Sequence, residues 1–334
     1  MAPHQRLVMK VSVEQSRFQL AAPFRISREI QTEVDVMTVT LSEGGFAGRG
    51  ETVGVSYRGE TPDRLREQIT EAAVHLSHGI ERDQLLEIMT PGGARNAVDC
   101  ALWDLEAKRS GVPAWRSAGV SGPTPVSMTV TLGLDTPARM AEAACRAGPF
   151  SALKLKLGEG DGDIERVAAV RSAAPDAVLL CDVNEAWSFD QLRRYTPELQ
   201  ALGMQMIEQP LRARDDEVLA DYTSPVTLCA DESCFDRSDL ESVRHRYGAI
   251  NIKLEKTGGL TEALHLARAA AAMRLQVMVG CMVSTSLSIA PALLLRSGGL
   301  WFDLDGPTYL VADRSHGIQF EAGMALPPSP QLWG

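Results

Sequence analysis

Along the later part of the chain, short apolar runs end again and again in a charged residue. Lys156, Asp182, Glu208, Asp231 and Lys253 follow one another after 26, 26, 23 and 22 residues. Each interval is the length of one strand, one helix and their loops, so the pattern calls for repeated βα units and a parallel sheet. Burying an unpartnered polar group costs roughly 2–7 kcal/mol. Charges kept at the C-terminal end of successive strands therefore point to a site along that edge.

The apolar runs predict eight strands: Val126–Leu132, Ala152–Leu157, Val178–Val183, Gln205–Glu208, Val226–Ala230, Ala249–Leu254, Gln276–Gly280 and Trp301–Leu304. Helical windows fall between them at about 137–148, 163–173, 188–202, 213–221, 236–246, 260–273 and 285–297, with Pro197 and Pro291 inside two of these. This is the count of a (β/α)8 TIM barrel lacking its last helix, because residues 305–334 are loop-like and rich in Pro and Gly. A doubly wound open sheet is the alternative, but the Gly-rich phosphate fingerprint it would carry after its first strand is absent.

The earlier part reads as an α+β module. Residues 6–20 predict a strand, and Val34–Leu41 with Phe46–Thr52 bracket a hairpin turn at Ser42-Glu43-Gly44-Gly45. Polar residues 21–33 and the glycine-rich 54–59 predict loops of the kind that serve as lids. Helices are expected from Thr61-Pro62 to Gly79, over Arg82–Met89 and over Ala94–Arg109. The expected division is a module over 1–115, a junction over 117–124, a barrel over 124–305 and a tail, 306–334, that returns to the first module.

With 334 residues and a net charge of -10, the chain lacks the basic footprint of a nucleic-acid binder, and a small molecule is the expected partner. Leu287–Leu295, interrupted by Pro291, is too short to span a membrane, and residues 1–10 hold no apolar signal core, so a cytoplasmic protein is expected. The six cysteines form no CxxC pair and are expected as free thiols. The histidines avoid the strand ends, which argues against zinc or a histidine base.

Lys154 and Lys156 share one face of their strand. Two adjacent ammonium groups are expected to lower each other's pKa; the plainer reading is an edge strand whose lysines discourage aggregation. Asp182, Glu208 and Asp231 would converge from adjacent strands and must bind a cation or stay partly protonated. Oxygen-only ligation selects a hard ion such as Mg2+. Strands two and six lie opposite each other, so Lys156 and Lys253 face one another across the mouth, with Asp303 and Asp305 toward the substrate's far end. One lysine could remove a proton next to a carboxylate and the other return one from the opposite side.

These motifs resemble the enolase superfamily, muconate-lactonizing-enzyme subgroup, and within it the dipeptide epimerases of the L-Ala-D/L-Glu type. The resemblance rests on Ala97 to Asp104, Lys154-x-Lys156, Asp182-Val183-Asn184, Glu208-Gln209-Pro210, Asp231-Glu232-Ser233 and Lys253 followed by Lys256-Thr257-Gly258-Gly259. It implies a (β/α)7β barrel with an N-terminal α+β capping domain, and an isomerase that uses Mg2+ on Asp182, Glu208 and Asp231. Lys156 and Lys253 would be its acid/base pair, with Lys154 assisting by its charge.

By the same resemblance Asp303-x-Asp305 would receive the free amino terminus of a dipeptide from peptidoglycan turnover, beside Cys281 and Met282; a turn residue is the other reading of Asp305. Arg25 or Arg28, or the loop at Ser56-Tyr57-Arg58, would meet an acidic C-terminal side chain, unless the arginines are only solvated. A homo-oligomer is the expected assembly. The alternatives are an N-acylamino acid racemase, an o-succinylbenzoate synthase or a cycloisomerase of the subgroup, and beyond these a non-catalytic carboxylate-binding barrel.

Overall fold

In the computed structural model, which describes residues 9–25, 30–147 and 152–334, the chain opens with an antiparallel sheet of β1 (Lys10–Arg25), β2 (Ile30–Glu43) and β3 (Phe46–Thr52). Gly44 and Gly45, at φ of 60° and 86°, make the β2–β3 turn. β1 and β2 run further than the apolar pattern predicts: residues 21–25 and 30–33, expected as loop, are extended, with Phe24 opposite Gln31 and Arg25 opposite Ile30. Most side chains there are exposed. Backbone pairing holds the extension, and backbone pairing leaves no mark in an apolar pattern.

Helices α1 (Pro62–Ser77), α2 (Arg82–Ile88) and α3 (Gly93–Ser110) cover this sheet. Thr61 caps α1 by accepting from Arg64 N, with Pro62 in the first turn. α3 lies directly on β3 because Gly48 and Gly50 have no side chain there: a Cβ at Gly50 would stand 2.0 Å from Ala97 O, and one at Gly48 2.3 Å from Ala101 O. Nearly all of α3 is buried, since its other side meets the barrel.

The barrel strands are β5 (Thr129–Leu132), β6 (Ala152–Lys156), β7 (Val178–Asp182), β8 (Met204–Glu208), β9 (Thr227–Ala230), β10 (Ala249–Lys253), β11 (Gln276–Gly280) and β12 (Trp301–Asp303), paired in chain order and parallel. The predicted first strand is divided. Its start, β4 (Val126–Ser127), pairs instead with the tail hairpin of β13 (Phe320–Glu321) and β14 (Met324–Ala325), and Met128 N donates to Gly323 O at 2.8 Å. The hairpin takes up backbone groups that would otherwise extend the barrel. Helices span Pro137–Ala147, Asp163–Ala173, Phe189–Ala201, which continues through Pro197, and Leu260–Ala272; tighter 3-10 turns occupy Ala213–Asp221 and Pro291–Ser297. After β12 the helical content is only the short turn Gly306–Tyr309, so no eighth helix closes the series.

Alternation along each strand sorts the side chains. Leu153, Leu155, Leu179, Cys181, Ile207 and Ile250 face the helices, while Leu180, Met206, Cys229, Ala249, Met278 and Trp301 plug the interior. Two residues further along the same inward rows stand Asp182, Glu208, Asp231, Asn251 and Asp303. An apolar layer thus floors a polar one, as in other barrels of this kind.

Buried acids join the capping domain to the barrel. Glu51 of β3 accepts from Thr285 N at 3.0 Å, Thr285 Oγ1 at 2.5 Å and Arg314 Nε at 2.7 Å. Asp99 of α3 accepts from Thr261 N at 2.9 Å and Oγ1 at 2.6 Å, and burial pushes its carboxyl up to about 6. Glu255, just past β10, accepts from Val53 N at 3.0 Å and lies 2.5 Å from Thr52 Oγ1; burial pushes it up to about 8. The tail adds Arg49 Nη2 to Leu332 O at 2.8 Å and Trp333 Nε1 to Cys100 O at 2.9 Å. Among the described residues no helix is long and apolar enough to cross a membrane, and the cysteines are free thiols.

Candidate active site

Strand register brings the polar layer together. Lys156 is paired with Asp182, Asp182 with Glu208, and Gly280 with both Lys253 and Asp303. β6 and β10 stand second and sixth in the eight-strand sheet, and Lys156 and Lys253 both line one cavity of about 540 Å3 at the strand ends. Thr131, Lys154, Asp231, Cys281, Met282, Asp303, Asp305 and Tyr309 line it too. Ser56 and Tyr57 reach it from the capping domain.

The lysines and acids are interleaved. Lys154 Nζ, 1% exposed, lies 2.6 Å from Glu208 Oε2, 2.7 Å from Asp303 Oδ2 and 3.3 Å from Asp182 Oδ2. Lys156 Nζ meets Asp182 Oδ2 at 2.5 Å and Lys253 Nζ meets Asp231 Oδ2 at 2.6 Å. The expectation that the neighbouring ammonium lowers Lys154 fails. Burial does lower it, but Asp303, Glu208 and Asp182 outweigh that and raise it well above the usual lysine range. Lys253 is raised as well: burial works against its charge, and Asp231 and Glu208 more than compensate. Nor is β6 an edge strand, since it pairs with both β5 and β7.

Asp231 is held from several sides. Lys256, 0% exposed, places Nζ 2.7 Å from Asp231 Oδ1 and donates to the carbonyls of Asp231, Cys234 and Asn251 at 2.6, 2.9 and 2.9 Å. Gln209, in the left-handed region at φ 33°, turns its side chain under the same loop: Oε1 accepts from Asp231 N at 2.8 Å and Ser233 N at 3.2 Å. A non-glycine residue in that region costs about 1–3 kcal/mol, and these hydrogen bonds offset it.

Asp182, Glu208 and Asp231 are at most 1% exposed and offer only oxygen. Burial raises all three; lysines pull Asp182 and Asp231 below the usual carboxylate range, whereas Glu208 stays raised, with Asp182 repelling it. That unrelieved repulsion and the all-oxygen donors fit a hard dication. Among the described residues no group of three or more His, Cys, Asp or Glu side chains is gathered as a formed metal site; here lysine ammonium groups stand between the carboxylates.

At the barrel seam, side chains link the last strand to the first. Thr131 Oγ1 donates to Asp303 Oδ1 at 2.8 Å, and Thr131 N to Asp305 Oδ2 at 2.8 Å. The strand stops at Asp303. Asp305 opens the following turn with its backbone while its side chain lines the cavity. Burial and the charges of Asp305 and Asp303 raise the Cys281 thiol, which disfavours its thiolate.

Arg25 does not line the cavity: Nη2 pairs with Glu159 at 2.8 Å. Arg28 lies outside the described residues. Arg58 sits over the Phe235 ring at 4.4 Å. Sequence reasoning missed Thr131, Tyr309 and Phe24 of the cavity wall and the anchoring parts of Gln209 and Lys256. The first three carry no charge; the last two lay inside quoted motifs, but their full burial shows only in the fold.

Residues 8–119 match the family model for the mandelate racemase / muconate lactonizing enzyme N-terminal domain, and residues 137–305 the enolase C-terminal domain-like model. The chain is 41% identical over 314 residues to the L-Ala-D/L-Glu epimerase of Escherichia coli (strain K12), covering 94% of this chain and 98% of that protein. It is 39% identical over 301 residues to the N-acetyl-D-glutamate racemase of a Pseudoalteromonas species, covering 90% and 95%. A solved enolase family member from Agrobacterium tumefaciens, described as homologous to dipeptide epimerases and holding sodium and L-Ala-L-Glu, superposes with a TM-score of 0.95 at 42% identity, covering 98% of this chain and 100% of that one.

Proposed function

From the premise that the chain belongs to the mandelate racemase / muconate lactonizing enzyme family of the enolase superfamily, we propose that it is a dipeptide epimerase that inverts the α-carbon of the C-terminal residue. L-Ala-D/L-Glu, a murein-peptide fragment, is the proposed substrate. The observation that carries this reading is the placement of Lys156 and Lys253 on opposite strands of one cavity, with Asp303 and Asp305 on its wall.

Lys156 and Lys253 exchange the α-proton across the substrate: one ammonium, having lost its proton, removes hydrogen from one face, and the other delivers hydrogen to the opposite face. Lys154 sits one step deeper, its charge held by Glu208 and Asp303, and acts as a fixed positive charge. Mg2+ on Asp182, Glu208 and Asp231 would supply positive charge to the substrate carboxylate and take up acidic charge that now pairs with the lysines. Sodium, held by the solved relative, is likewise a hard cation. Arg25 would exchange Glu159 for an acidic substrate side chain.

The test is incubation of L-Ala-L-Glu with enzyme and Mg2+ in deuterium oxide, followed by proton NMR. The expected result is loss of the glutamate α-hydrogen and growth of L-Ala-D-Glu; a dipeptide panel without exchange at any position overturns the proposal. The similarity to an N-acetyl-D-glutamate racemase favours a second reading with the same lysine chemistry. Faster turnover of N-acetylglutamate than of the dipeptide would put that reading first.

A further inference from the structure

The cavity rim joins the end of β1 to the segment after β12, which are distant in sequence. Leu20 and Leu310 form an antiparallel bridge, and Val311 N donates to Gln19 O at 2.8 Å. The Phe24 ring packs on the Tyr309 ring with centroids 4.7 Å apart. The Tyr309 hydroxyl donates to Asp305 Oδ2 at 2.8 Å, with Thr131 O at 3.2 Å. Next to Asp305 the backbone is tightly seated: a Cβ on Gly306 would stand 2.7 Å from Met282 O.

The two acids of the wall are held differently. Asp303 has both oxygens engaged, Oδ1 by Thr131 Oγ1 and Oδ2 by Lys154 Nζ. Among the described residues, Asp305 is engaged on Oδ2 alone, by Thr131 N and Tyr309. A carboxylate gripped by one oxygen keeps the other to accept from an ammonium group. Burial and the charge of Asp303 push the Asp305 carboxyl up to about 7, so an arriving cation would favour its charged form.

We propose that Tyr309 is a positioning residue for the substrate's amino terminus: it holds Asp305 so that one oxygen stays available to an ammonium group, and Phe24 of the capping hairpin holds Tyr309. The proposal rests on the reading above, in which the Asp303–Asp305 wall receives a free amino end. A side chain that merely fills the seam would affect all ligands alike. A positioning role shows only on ligands that carry the ammonium.

The experiment compares L-Ala-L-Glu with N-propionyl-L-glutamate, in which hydrogen replaces the ammonium group. KM and kcat are measured for the dipeptide and a competitive Ki for the analogue. Tyr309→Phe is expected to raise KM about tenfold, with kcat within about twofold and Ki unchanged; Asp305→Asn is expected to show the same selective loss, larger. Equal weakening of both ligands by Tyr309→Phe, or an unchanged KM while Asp305→Asn is selective, overturns the proposal. If Asp305→Asn does not alter the ratio of the two ligands, the amino-terminal reading of the wall itself falls. Phe24→Leu keeps the side-chain hydrogen bonds and serves if Tyr309→Phe does not fold: a selective KM rise of about threefold is expected, and an unchanged ratio overturns the link to the hairpin.

Discussion

Replacing Glu255 by Gln should make the protein more stable, and increasingly so as the solution becomes more alkaline. Glu255 is buried against Thr52 and Val53, and burial lifts its carboxyl from 4.5 to about 8. The folded state therefore keeps a proton that the unfolded chain gives up near pH 4.5, and folding stability falls as pH rises through that window. The slope is about 1.4 kcal/mol per pH unit, and the full cost above pH 8 is about 5 kcal/mol. Between pH 6 and pH 8 this group alone removes about 2 kcal/mol. Glutamine keeps an oxygen for Val53 N and offers an N–H to Thr52 Oγ1, at the cost of about 1 kcal/mol for an imperfect fit. Other titrating groups cancel in the difference between the two proteins. Scanning calorimetry from pH 5 to 8.5 should give nearly equal melting temperatures at the acid end and a gain of several degrees for Glu255→Gln at the alkaline end. Parallel pH profiles would refute the assignment of a buried neutral carboxyl.

Lys156→Ala and Lys253→Ala should each abolish epimerisation, and each should leave slow α-hydrogen exchange in at most one configuration of substrate, opposite for the two variants; NMR in deuterium oxide reads both. Chelation should remove activity and Mg2+ restore it. The ion should also raise the melting temperature, with about 2.7 kcal/mol of stabilisation at a hundred times its dissociation constant, and Asp231→Asn should lose that increment. Gly50→Ala should cost about 3 kcal/mol or more in urea unfolding, because the new Cβ lies 2.0 Å from Ala97 O; a cost below 1 kcal/mol would show that α3 can lift from β3 freely.

The barrel was legible because each βα unit repeats two signals, an apolar run and a charge that water would otherwise keep. Lys156, Asp182, Glu208 and Lys253 all fall at or next to a strand end. The extension of β1 and β2 was not legible, since exposed side chains such as Ala21 and Ile30 there follow no alternation and the backbone alone does the pairing. β4 was read into the barrel because a two-residue strand carries too few side chains to show which sheet it joins. Thr131 and Tyr309 are neutral hydroxyl residues, common on any surface, and only their distances to Asp303 and Asp305 give them a part. The pKa of Lys154 was misjudged because strand alternation shows the neighbouring lysine but not Asp303, which comes 149 residues later.

The Thr131 bonds to Asp303 and Asp305 also weld the last barrel strand to the first. If this wall receives an amino end as proposed, substrate preference and closure of the barrel share the same atoms. On that proposal, a lineage drifting toward ligands without an amine would lose a clasp of the rim if it discarded these acids. On the same proposal, recognition at this wall is tied to the seam, whereas Arg25, half-exposed and paired with Glu159, lies outside it and can be replaced without touching those bonds.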